Sequence, residues 1–106
     1  MSRADLIVAL DVPNAAAMEL KLQQMPEFVE WYKVGLELFC AEGPAVLEPL
    51  KKRGKKIFLD LKLHDIPRTV GNAVKTAAEH GVNLMTVHAI GGRAMLEEAV
   101  RAAKAC

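Results

Sequence analysis

Four short apolar runs, each followed by a stretch with helical spacing, outline this chain. The runs are residues 6–10, 31–34, 56–61 and 84–88. The first, Leu6-Ile7-Val8-Ala9-Leu10, has no polar alternation, which suits a strand covered on both faces in a parallel sheet. Between the runs lie the helical stretches. Asn14 is placed to cap a helix carrying Met18, Leu22 and Met25, which Pro26 then ends. Residues 36–53 hold a second helical region, interrupted at Gly43-Pro44 and closed by Gly54. Pro67 opens a third, with Val70, Ala73, Val74 and Ala77 on one face and Gly81 as its stop. Gly91-Gly92 leads into a fourth, whose apolar positions are Met95, Leu96, Ala99 and Val100.

Repeated β-α units make a parallel sheet, either an open wound sheet or a barrel. The units recur at about 25–30 residues, the spacing found when roughly 250 residues make eight of them. Four units are half that number, and Cys106 stands where a fifth strand is due.

Composition narrows the picture only a little. The chain has 106 residues, 52% of them apolar, and a formal net charge of +1, which describes a globular domain large enough for one core. A nearly neutral chain gives no reason to expect nucleic acid or an anionic membrane as a partner. No apolar run approaches the roughly 20 residues that span a bilayer. Asp5 interrupts the only early stretch resembling a signal peptide. Cys40 and Cys106 have no metal-site spacing and make no disulfide framework, so a reduced, cytoplasmic setting is expected.

The polar residues near the strand ends carry the candidate chemistry. Asp60 and Lys62 are two apart on one strand, so both point to the same face. In a barrel that face is the interior, and the C-terminal strand ends are where catalytic groups sit. The competing reading is a structural ion pair. Asp65, two residues before Pro67, reads locally as a helix N-cap, and Thr69 as an ordinary first-turn residue. Lys33 interrupts the second strand, where lysine is disfavoured, and either snorkels to the strand end or joins the charged cluster. Asp11 directly follows the first strand, as a turn residue or as a carboxylate for ligand hydroxyls. His88 ends the fourth, where a lone histidine is more often a hydrogen-bonded core residue than a base. Singly, the structural readings mostly win. Together, Asp11, Lys33, Asp60, Lys62 and His88 end four strands on one rim, a convergence that folding alone does not require.

Four segments resemble the orotidine 5′-phosphate decarboxylase family. They are Leu6-Ile7-Val8-Ala9-Leu10-Asp11, Tyr32-Lys33-Val34-Gly35, the run from Ile57 through Asp60-Leu61-Lys62-Leu63-His64-Asp65-Ile66-Pro67 to Val70, and Val87-His88-Ala89. The D-x-K-x-x-D pattern with its His-Asp-Ile-Pro context is the specific part. The resemblance implies a (β/α)8 barrel of TIM type working as a homodimer without cofactor or metal, and converting orotidine 5′-monophosphate (OMP) to UMP in pyrimidine biosynthesis. It implies that Lys33, Asp60, Lys62 and Asp65 form a catalytic charged network, with Lys62 the proton donor to C6. Asp11, Lys33 and Thr69 are implied as substrate contacts on the ribose side, and Asp65 and Thr69 as lent across the dimer interface.

The resemblance also implies a phosphate site in the last two β-α units and a pyrimidine-recognising hydroxyl after the fifth strand. Residues 1–106 are accordingly expected to be a single domain, the N-terminal half of such a barrel. Alone it is expected to be nearly inactive, with two copies able to pair edge to edge. Two other readings stand beside this one. A metal-dependent sugar-phosphate decarboxylase of the same suprafamily shares D-x-K-x-x-D and would bind Mg2+ through its acidic groups. A non-catalytic half-barrel would serve only as an assembly or folding module.

Overall fold

The computed structural model describes residues 4–106. Four strands, β1 (Ile7–Ala9), β2 (Trp31–Gly35), β3 (Lys56–Leu63) and β4 (Leu84–Val87), form one sheet in the order β1-β2-β3-β4. Every pairing is parallel. Five α-helices follow the strands in turn: α1 (Ala15–Gln24), α2 (Leu36–Glu42), α3 (Glu48–Lys52), α4 (Pro67–Glu79) and α5 (Arg93–Lys104).

Local chemistry sets the helix limits. Asn14, in extended conformation, accepts the amide of Ala17 at 2.8 Å and starts α1 as expected. The second helical region is more broken than its spacing suggests. A 3-10 segment, Gly43–Leu47, separates α2 from α3, because Gly43 takes φ 69° and Pro44 opens a new turn. α3 and α4 end alike. Gly54 (φ 69°) and Gly81 (φ 86°) turn the chain left-handed. The next amides, of Lys55 and Val82, then bond back to the carbonyls of Leu50 and Ala77 at 3.0 and 3.1 Å. These are Schellman caps, which a side chain at either glycine would strain.

All helices cover one face of the sheet. Val8, Leu10, Tyr32, Val34, Ile57 and Leu59 pack there against Met18, Leu22, Leu38, Leu47 and Leu50. Leu63, Met85 and Val87 continue that face against Val70, Val74, Met95 and Ala99 of α4 and α5. The two helices approach closely at Gly71, where an added Cβ would lie 2.8 Å from Glu98 Oε2. An open wound sheet reverses its strand order and carries helices on both faces. Sequential order with one helical layer is the progression of a barrel wall, here four β-α units of it.

The expectation that the first strand is covered on both faces is corrected. Ile7 is only half-buried and Ala9 is exposed, because the side away from the helices has no layer over it among the described residues. That open side presents Ala9, Lys33, Phe58 and Leu84 in one paired row.

Helix α1 offers a direct check of this layering. Met18 is fully buried and Leu20, two residues on, is 61% exposed. Met18→Ala is expected to destabilise the fold by about 2–5 kcal/mol and Leu20→Ala by less than about 0.5 kcal/mol, read from urea midpoints.

Candidate active site

The open face gains its charge where β2 and β3 end. Lys33 pairs in register with Phe58, and Gly35 with Asp60, so Lys33 lies one step below Asp60 on the same side. Its ammonium spans two carboxylates, 3.5 Å from Asp60 Oδ2 and 3.8 Å from Asp11 Oδ1. Lys62 Nζ sits 3.0 Å from each Asp60 oxygen. Asp60 is the buried member, its side chain 10% exposed, against 25% for Lys33 and 65% for Lys62. With Gly35 and Leu36 these groups border a shallow hollow of about 360 Å3. Asp11, Lys33, Asp60 and Lys62 are thus brought together as their strand positions suggest.

The backbone beneath Lys62 is irregular. Leu59 pairs with Met85 and Leu63 with Val87, so β3 advances four residues while β4 advances two. A one-residue slip would have flipped every later side chain to the other face. Two extra residues preserve the alternation, and Lys62 stays on the side of Asp60. The arch is accommodated at Lys62 itself, with φ 50°, the one positive φ outside glycine among the described residues. Such a conformation costs a lysine about 1–2 kcal/mol.

Thr86 faces this arch and was not singled out from sequence. Its hydroxyl donates to Asp60 Oδ1 at 2.7 Å and accepts the Lys62 amide at 3.0 Å. The Thr86 bond, followed by the ammoniums of Lys62 and Lys33, holds the Asp60 carboxyl below the ordinary carboxylate range against the opposing effect of burial. A signal was present in the sequence: Thr86 shares alternation parity with Leu84 and His88, opposite to Met85 and Val87. Finding it required the register of β4 on β3.

The remaining candidates lie apart from this cluster. Asp65 is exposed, and its Oδ1 accepts the adjacent Ile66 amide at 2.7 Å. The N-cap reading of Asp65 is corrected. Pro67 occupies the first turn of α4 and holds the residue before it extended, so Ile66 is the cap and Asp65 falls one position too early. Thr69 is exposed in that same first turn. His88 is not a core residue either. It is exposed just beyond β4, with its ring 5.6 Å from that of His64. Among the described residues no group of three or more His, Cys, Asp or Glu is arranged to hold a metal ion.

The family profile for orotidine 5′-phosphate decarboxylase / HUMPS matches residues 4–106. The orotidine 5′-phosphate decarboxylase of Nostoc sp. is 52% identical over 104 residues, covering 98% of this chain and 42% of its own length. That of Thermosynechococcus vestitus is 51% identical over 94 residues, covering 89% and 40%. The crystal structure of orotidine 5′-phosphate decarboxylase from Lactobacillus acidophilus superposes with a TM-score of 0.83 at 44% identity, covering 92% of this chain and 44% of that one. The chain therefore spans about two fifths of the length of the curated relatives it matches, and its four β-α units are a half-barrel of the TIM type. Sequence, fold and the placement of Asp60 and Lys62 converge: the chain belongs to the orotidine 5′-phosphate decarboxylase / HUMPS family.

Proposed function

We propose that this chain carries the charged centre of an enzyme that decarboxylates OMP to UMP. The observation that supports it is Asp60, buried under two ammonium groups at the end of β3, with Lys62 projecting into the hollow. Relatives of 52% and 51% identity bear the name of this enzyme.

The geometry suits the chemistry. When the C6–carboxylate bond of OMP breaks, CO2 leaves and the electron pair stays on C6, in the ring plane and outside the π system. A fixed cation beside C6 stabilises that charge far better in a dry site than in water. The Lys62 ammonium serves as that cation and gives its proton to C6, then regains one from solvent. Asp60, kept ionised by Thr86, Lys62 and Lys33, holds the Lys62 ammonium oriented until the transfer. Asp11 and Lys33, joined at the edge of the hollow, are the ribose contacts.

Asp65 and Thr69 complete the site of a partner subunit in a cytoplasmic homodimer. Their exposure on the rim, beside an Ile66 that is 64% exposed, supports this arrangement. Asp60 is already engaged through both oxygens by Lys62, Lys33 and Thr86, which leaves a divalent cation no free carboxylate at that point and favours metal-independent decarboxylation over the sugar-phosphate alternative.

Three outcomes are expected in the whole enzyme whose charged centre this segment carries. Lys62→Ala lowers UMP formation by at least about 100-fold, the scale of a lost general acid and electrostatic stabiliser, while unchanged turnover would overturn the assignment. Dialysis against EDTA leaves the rate unaltered; a loss restored by Mg2+ would instead identify the metal-dependent enzyme. Mixing inactive Lys62→Ala with inactive Asp65→Ala restores about a quarter of wild-type activity, because half the dimers are mixed and each has one intact site. A mixture as inactive as its components would place Asp65 in its own subunit's site.

A further inference from the structure

The arch in β3 is held by one side chain of β4, and the bonds of that side chain run in a fixed sense. A hydroxyl has one proton and two lone pairs. The Lys62 amide can only donate and the Asp60 carboxylate can only accept. Thr86 must therefore accept from the first and donate to the second, at 3.0 and 2.7 Å. The amide at the arch has left the regular ladder, since the pairing skips from Leu59↔Met85 to Leu63↔Val87. Thr86 replaces that lost ladder bond and at the same time fixes the carboxylate that grips the Lys62 ammonium. It thus touches Lys62 at its backbone and, through Asp60, at its Nζ.

We infer that Thr86 is a positioning residue for the decarboxylation, locking the arched backbone of Lys62 and the Asp60 carboxylate into the one arrangement that aims the Lys62 ammonium into the hollow. The inference rests on the function proposed above. Thr86 itself does not border the hollow; Asp60 and Lys62 do. Its effect therefore falls on the reaction step more than on ligand affinity. The charged groups facing Asp60 are Lys62 on its own strand and Lys33 on β2, with Asp11 beyond Lys33. All of these remain when Thr86 is changed. The Thr86 bond is the foremost of the influences that hold the Asp60 carboxyl low, so its removal lets that carboxyl rise toward the ordinary value.

Thr86→Val keeps the β-branched shape and deletes the hydroxyl; Thr86→Ser keeps the hydroxyl. The valine variant is expected to lose about 10- to 100-fold in kcat, with KM for OMP changed less than about threefold. The acid limb of its kcat/KM profile should move to higher pH, because a carboxyl with a raised pKa is neutralised earlier as pH falls. The serine variant should restore kcat to within about threefold and return the acid limb. Wild-type kinetics in the valine variant, or equal impairment of valine and serine, would overturn the inference. A 13C titration of the Asp60 carboxyl in wild type and the valine variant separates this inference from the proposed reaction. If wild type forms no UMP, the reaction fails, and an upward shift of the Asp60 midpoint in the variant still shows that Thr86 holds the carboxylate. No shift would show that it does not.

Discussion

The rest of the site depends on one buried carboxylate. Asp60 lies on a strand whose neighbours Ile57 and Leu59 are core residues, and burying an ionised group without partners costs several kcal/mol. Its partners come from all three adjoining pieces of the sheet: Lys33 from β2, Lys62 from further along β3 and Thr86 from β4. The cluster thus pins the register of three strands at their common end. Only the carboxylate is deeply withdrawn from water, while both lysines keep part of their hydration, which limits the desolvation cost. Removing one lysine leaves Asp60 in contact with the other and with Thr86, so the fold is buffered against the loss of either.

Much of the fold was legible in the sequence because its signals are local. Asn14 as a cap, Gly54 and Gly81 as stops, and Pro67 as a first-turn residue each act within a few positions. The order of strands and helices followed from the same signals. Choosing a barrel wall over an open wound sheet did not, since that choice depends on which edge each strand joins. The double coverage read into the first run failed for a related reason. An apolar strand records the faces it is built to bury, whereas exposure here depends on what lies across the open face.

The site divides along the same line. The alternation of Asp60 and Lys62 was readable, and it survived the arch because β3 gains two residues rather than one. The arch itself was not readable: nothing in Leu61-Lys62-Leu63 signals a lysine at φ 50°. Thr86 went unnoticed for the same reason, as one polar residue in a strand whose register had not been fixed. Asp65 was misread as a cap by a single position, and the steric demand of Pro67 on its predecessor explains that shift.

The two lysines around Asp60 are not interchangeable, and their difference is consistent with the separate roles proposed for them. Lys33 emerges within a paired strand, its side chain 25% exposed, and divides its charge between Asp60 and Asp11 at 3.5 and 3.8 Å. It is the anchored cation. Lys62 emerges from an arch, its side chain 65% exposed, with its ammonium committed to Asp60 alone at 3.0 Å. A proton donor must leave its resting partner and reach the substrate carbon, then recover a proton from solvent. Of the two, the exposed lysine on the arch suits the proposed donor role, since it can move without unpairing a strand. In the proposed reaction, Asp60 would still face Lys33 and Thr86 once Lys62 had given up its proton, so the carboxylate would not be left bare. On that proposal, the second cation is what allows the first to react without stranding a buried charge.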